Sequence, residues 1–148
     1  MAGDFSQLEA YCSGIINSLQ PAERRQLARR IATDLRKATA KQISAQLNPD
    51  GTRFTARKLR KKKGSIRRSM FAKLRLAKWL KTEATPSHAV VSFANHVQRI
   101  AQVHHYGLRD RVFKNKTMTA DYPERQLLGF NASNIDQIKE AVLIHLAR

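Results

Sequence analysis

Between Arg53 and Lys81 the chain carries thirteen Lys or Arg and no Asp or Glu, which places +13 of its total +17 in one stretch. Like charges gathered this closely repel one another, and Arg60-Lys61-Lys62-Lys63 offers nothing apolar to bury. Leu59 to Gly64 therefore reads as a mobile, solvated loop. From Met70 onward the character changes, with Phe71, Leu74, Leu76, Trp79 and Leu80 joining it as apolar residues. They supply enough apolar surface to dock a short helix or a strand, with Lys73, Arg75, Lys78 and Lys81 snorkelling outward. The pattern leaves helix and strand both open.

The rest of the core has to come from the flanks. Phe5, Leu8, Cys12, Ile15, Ile16 and Leu19 recur at spacings of three and four and predict a helix over about 5–19. Pro21 suits the first turn of a new helix but not the middle of an old one, so a second helix starts there and runs to about 46. Leu27, Ala28, Ile31, Leu35, Ala38 and Ile43 face inward on it, with Arg24, Arg25, Arg29, Arg30, Arg36, Lys37 and Lys41 outward or flanking. Asn48-Pro49-Asp50-Gly51 then turns the chain, because Pro fixes φ, Asp bonds its own backbone and Gly accepts φ > 0.

Beyond the basic stretch, strands near 79–84 and at 89–93 flank a Thr85-Pro86-Ser87 turn and predict a β-hairpin. Asn95 can cap a helix whose inner side shows Val97, Ile100, Ala101 and His104, and Gly107 ends it. Arg111 to Lys114 and Thr117 to Thr119 predict a second hairpin across Lys114-Asn115-Lys116. Ser133 and Asp136 resemble a capping box, and Ile135, Ile138, Val142 and Leu146 form the buried stripe of a last helix expected to dock on the sheet. The expected fold class is α+β: two N-terminal helices, a small antiparallel sheet of hairpins, a middle helix and a C-terminal helix on the sheet. At 148 residues this is one domain spanning 1–148, with a basic mobile loop at about 53–68.

Composition excludes more than it selects. Cys12 is the single cysteine and has no internal disulfide partner. No run reaches the ~18 apolar residues of a membrane span, and no secretory signal is read at the N-terminus. Neither a P-loop nor a dinucleotide fingerprint is present, and the acidic residues are scattered, so no cofactor and no catalytic set are expected. His104-His105 is the most tempting pair, yet neighbours on a helix point about 100° apart and have no acidic or thiol partner at the right spacing. The expectation is no metal, with one imidazole buried and the other at the surface. The charge calls for a polyanion. Arg57, Lys58, Arg60, Lys61, Lys62, Lys63, Arg67 and Arg68 would contact either nucleic-acid phosphates or an acidic protein neighbour.

Three landmarks stand in order: Asn48-Pro49-Asp50-Gly51 after a long basic helix, Arg99-Ile100-Ala101 leading to His104-His105-Tyr106-Gly107, and Tyr122-Pro123-Glu124-Arg125-Gln126-Leu127-Leu128-Gly129-Phe130 before the last helix. Together they resemble the phage virion morphogenesis, or tail completion, family. One departure stands out: several members carry an aromatic-Pro pair soon after the turn, where this chain has Phe54-Thr55-Ala56. The resemblance implies a late structural protein of the bacteriophage virion, not an enzyme, that completes or terminates the tail and enables head-tail joining. It further implies a homo-oligomeric ring, a hexamer, touching tail tube and neck or connector proteins and DNA in the channel, without membrane. The location it implies is the tail-head neck of the virion, after assembly in the host cytoplasm. Asn48, Pro49, Asp50, Gly51, His104, Gly107, Pro123 and Gly129 are expected as structural punctuation. Arg125 is suited to a bidentate bond with a carboxylate, in a structural role within the subunit or across a ring contact. The rival reading is a free basic nucleic-acid-binding protein, a regulator or packaging factor.

Overall fold

A computed structural model describes residues 2–16, 19–58 and 68–147. The elements run α1 (Ala2–Ile16), α2 (Pro21–Ser44), β1 (Leu80–Ala84), β2 (Ala89–Phe93), α3 (Asn95–Tyr106), β3 (Arg109–Arg111), β4 (Thr119–Asp121) and α4 (Ala132–Leu146). β1 pairs with β2 and β3 with β4 as separate two-stranded sheets, so the class is α+β with little sheet. The chain clusters into two compact units, one of residues 1–38, 81–92 and 130–148 and the other of 39–80 and 93–129.

In the first unit, Leu8 and Cys12 of α1, Leu27 of α2 and Ile135 and Val142 of α4 make a buried cluster, with Ile31, Ile138 and Leu146 packed against it. The α4 stripe is thus buried as expected, but against helices rather than on a sheet. The reason is supply: β1 is mostly exposed, β2 is half-buried, and a two-stranded ribbon of five-residue strands has no broad apolar face to offer. The cap also differs from expectation. Asn131, not Ser133, accepts a bond from the Asn134 N–H at 2.9 Å, and the Asn134 side chain accepts from the Asn131 N–H at 3.1 Å. An amide at the fourth position of the box closes the reciprocal pair that Glu or Gln usually makes. Arg24 is a further correction. It lies on the same side of α2 as Leu27, Ile31 and Leu35, lining an apolar pocket with them.

In the second unit, α2 ends in a reversal that the turn after it does not supply. Gln46 takes φ 60°, while its N–H bonds Ile43 O and the Leu47 N–H bonds Gln42 O. Glycine usually holds this left-handed position. Here the side chain offsets the strain by holding both backbone groups of Met70, donating to its carbonyl at 2.8 Å and accepting from its N–H at 3.0 Å. From Met70 to Trp79 the chain is a succession of turns, neither the helix nor the strand that the pattern allowed, with Leu74 and Leu80 buried. Lys78 lies over the Trp79 ring, 4.7 Å from its centre, an apolar stem with its charge at the surface.

Two more boundaries shift. α3 is preceded by Ala94 with no side-chain cap, and Asn95 is its first helical residue. Only Ala94 separates it from β2, and the Ala94 N–H is already held by Trp79 O at 2.8 Å. Burial on α3 falls on Ala101 and Val103, whereas Ile100, expected on the inner side, is 51% exposed. The second hairpin pairs Arg109 with Asp121, Asp110 with Ala120 and Arg111 with Thr119, two residues further from the tip than the pattern placed it. Opposite charges at Arg109 and Asp121 favour this register, and the wider tip keeps Lys114 and Lys116 from facing each other across a tight turn.

Candidate functional site

The three sequence landmarks meet in the second unit. The Asn48 side chain oxygen accepts the Gln126 N–H at 2.8 Å, tying the turn after α2 to the segment before α4. Asp50 stiffens that turn by accepting from both the N–H and the hydroxyl of Thr52, and these bonds hold its carboxyl below the usual range. Gly129 packs on Pro49 so closely that a Cβ there would stand 2.6 Å from the proline ring. Gly107 closes α3 at φ 65°, and a Cβ on it would stand 2.8 Å from the Glu124 nitrogen. Pro123 is half-buried in the segment these contacts hold.

Arg125 sits at the centre, 4% exposed. Its N–H donates to His104 O at 2.7 Å. Its Nε donates to Thr55 O at 2.7 Å, and a terminal nitrogen donates to Ala56 O at 3.3 Å. The partners of its fork are therefore backbone carbonyls rather than the expected carboxylate. The chain between Phe54 and Lys58 forms no helix or strand that would use those carbonyls, which leaves them free to accept. Burial, with Arg57 nearby, pushes the guanidinium below its ordinary pKa. It stays charged all the same. Arg57 is half-buried and donates to Arg68 O at 2.9 Å, joining the two ends of the basic segment, while Lys58 and Arg68 are exposed. Arg60, Lys61, Lys62, Lys63 and Arg67 lie outside the described residues, as does the expected loop from Leu59 to Gly64.

The two histidines are both half-buried, not one buried and one at the surface. His104 stacks edge-on between Phe71 and Tyr122, and its Nδ1 lies 3.5 Å from Arg125. His105 Nδ1 accepts the Leu127 N–H at 3.1 Å, which requires a lone pair there and puts the proton of the neutral ring on Nε2. Burial lowers the pKa of both; Arg125 lowers that of His104 further, and Glu124 partly offsets the effect on His105. Because the unfolded imidazoles take up protons near their ordinary pKa of about 6.5 and the folded ones resist, stability is fully present above that value. It drains away as pH falls through it toward the depressed folded values. Urea unfolding between pH 8 and pH 5 should show a steady midpoint at the alkaline end and a decline below about 6.5. A midpoint that stays level to pH 5.5 would contradict this account of the imidazoles.

Gln46 and the carbonyls of Thr55 and Ala56 belong to this cluster, and no sequence signal singles them out as site residues; His105 stands out in the sequence, but as a weighed metal or catalytic candidate and not as the acceptor of a backbone N–H. Among the described residues no group of three His, Cys, Asp or Glu is placed to hold a metal ion. No helix among them is long and apolar enough to cross a membrane. What the arrangement does is mechanical: it clamps three distant segments together and fixes the stems of the polycationic stretch.

Comparison with known proteins agrees with the landmarks. The model of the phage virion morphogenesis family matches residues 4–147. Tail completion protein S of Escherichia phage P2 is 38% identical over 149 aligned positions, covering 98% of this chain and 99% of that protein. No solved structure matches. A match running through all three landmarks and nearly end to end shows the kinship: this chain belongs to the phage virion morphogenesis family.

Proposed function

We propose that the chain is a structural virion protein that completes or terminates a phage tail and enables the tail to join the head at the neck. The observation that carries this is its 38% identity, end to end, with a tail completion protein. The chemistry of the site fits a non-enzymatic role, since its polar groups are spent on bracing the backbone. The protein works as a ring, a hexamer, whose subunits meet through the two hairpins and α2, and it docks on tail tube and neck proteins. Exposed Ile100, Tyr106, Leu108, Phe113 and Met118 in the second unit supply the apolar surface that such contacts use. Holding the basic stretch on one side of each subunit lets so positive a chain self-associate, with that stretch facing channel DNA or an acidic neck partner.

Deleting the gene from its phage and imaging the lysate tests this. Filled heads and tails that fail to join, or overlong tails, are expected, with infectivity restored by the protein supplied in trans. Overlong tails identify a terminator and normal-length unjoined tails an adaptor. Normal virions from the deletion, with a monomeric protein that binds bare DNA with a steep salt dependence, would overturn the reading in favour of a free nucleic-acid binder.

A further inference from the structure

The first unit holds an open-mouthed pocket of about 320 Å³ between α1, α2, α4 and the β1–β2 turn. Its walls are apolar, with Leu8, Leu27, Ile31 and Val142 among them, and Phe5 and Phe130 stack on each other at 5.2 Å while remaining 41% and 50% exposed. Arg24 projects from the apolar side of α2 into this lining, and its Nε is shut off from water without any hydrogen-bond partner. Glu9 is the single acidic residue of the lining, and no ion pair joins it to Arg24. A buried guanidinium nitrogen without an acceptor asks for an explanation, and an absent acceptor is a direct one. Guanidinium selects carboxylate, and a pocket of this size takes one or two large apolar side chains.

We propose that this pocket is the docking site for an acidic, amphipathic segment of a partner protein, an apolar side chain filling the pocket and a neighbouring Asp or Glu carboxylate completing Arg24. The lining decides the occupant: its unpartnered guanidinium is complemented by a carboxylate and its apolar walls by a large side chain, and an acidic, amphipathic segment brings both. The inference rests on the assembly role only for the occupant being another virion protein. The assay reads the pocket alone, so its failure leaves tail completion standing, and normal virions from the gene deletion leave the pocket standing.

The probe is the acetylated, amidated peptide Glu-Leu-Phe-Leu-Glu, titrated into the full chain at physiological salt beside its Gln-Leu-Phe-Leu-Gln counterpart. The acidic peptide should bind about tenfold tighter, and Arg24→Leu should cut that preference to about twofold or less. Glu9→Gln, which removes the competing carboxylate, should sharpen the preference. The thermal midpoint of Arg24→Leu should match or exceed that of the parent, because an unpartnered buried donor is removed. A lowered midpoint with the preference intact means that Arg24 is structural and overturns the proposal. Self-association abolished by Arg24→Leu assigns the pocket to a second copy, and a fatty acid retained in the purified protein assigns it to a lipid; either result overturns it as well.

Discussion

Arg125→Ala is expected to destabilise the protein by about 3 kcal/mol, read as a fall in the urea midpoint at constant slope. Two terms act in the same direction. The side chain is almost wholly enclosed, so its loss leaves a void. It also donates two charge-assisted bonds, to Thr55 O and Ala56 O, each worth about 1.5–3 kcal/mol. Relief of the guanidinium's burial opposes them, since among the described residues no carboxylate pairs with it. Arg125→Lys keeps the charge but lacks the fork, and should recover less than half of the loss. Under the proposed function the same variants rank in phage complementation as they do in stability, because the carbonyls that Arg125 grips lead directly into the basic stretch. An Arg125→Ala protein with an unchanged midpoint would show that the brace carries no weight.

How much of the fold and the clamp is legible in the sequence depends on the distance over which each contact acts. Local patterns read well: the α2 stripe, the first hairpin, Gly107 as the end of α3 and the apolar face of α4 are set by neighbours a few residues away. Competition between local signals reads poorly. Asn131 and Ser133 are both good caps, and the choice falls to the one with an amide three residues on. Ala32 is fully buried but carries too little apolar surface to stand out, and the charge of Arg24 groups it with its outward neighbours although its spacing to Leu27, Ala28, Ile31 and Leu35 sets it on their face. The convergence of the landmarks is not readable at all. Asn48 reaches Gln126 across 78 positions and Arg125 reaches Thr55 across 70, and nothing in a sequence marks a bare carbonyl as the partner of an arginine. Each landmark looks like punctuation by itself, and the fold makes them one clamp.

The two glycines at positive φ separate backbone strain from close packing. Gly51 has φ 87° and open space where a Cβ would go, so Gly51→Ala meets only the left-handed penalty of about 1–2 kcal/mol. Gly107 has φ 65° and, in addition, backbone in the way: its Cβ would lie 2.8 Å from the Glu124 nitrogen and 3.1 Å from its Cα. That backbone has little room to retreat, because the next residue is the buried Arg125, whose N–H is bonded to His104 O at 2.7 Å. Gly107→Ala should therefore cost about 3–4 kcal/mol, the strain of Gly51→Ala plus about 2 kcal/mol of overlap. Asparagine tells the two contributions apart, since it tolerates the left-handed region but brings the same Cβ. Gly51→Asn should come within about 0.5 kcal/mol of the parent, whereas Gly107→Asn should keep most of the loss. If asparagine restores both sites equally, the clamp at Glu124 yields to a methyl group, and the tight docking of that segment on the end of α3 is not what fixes Arg125 in place.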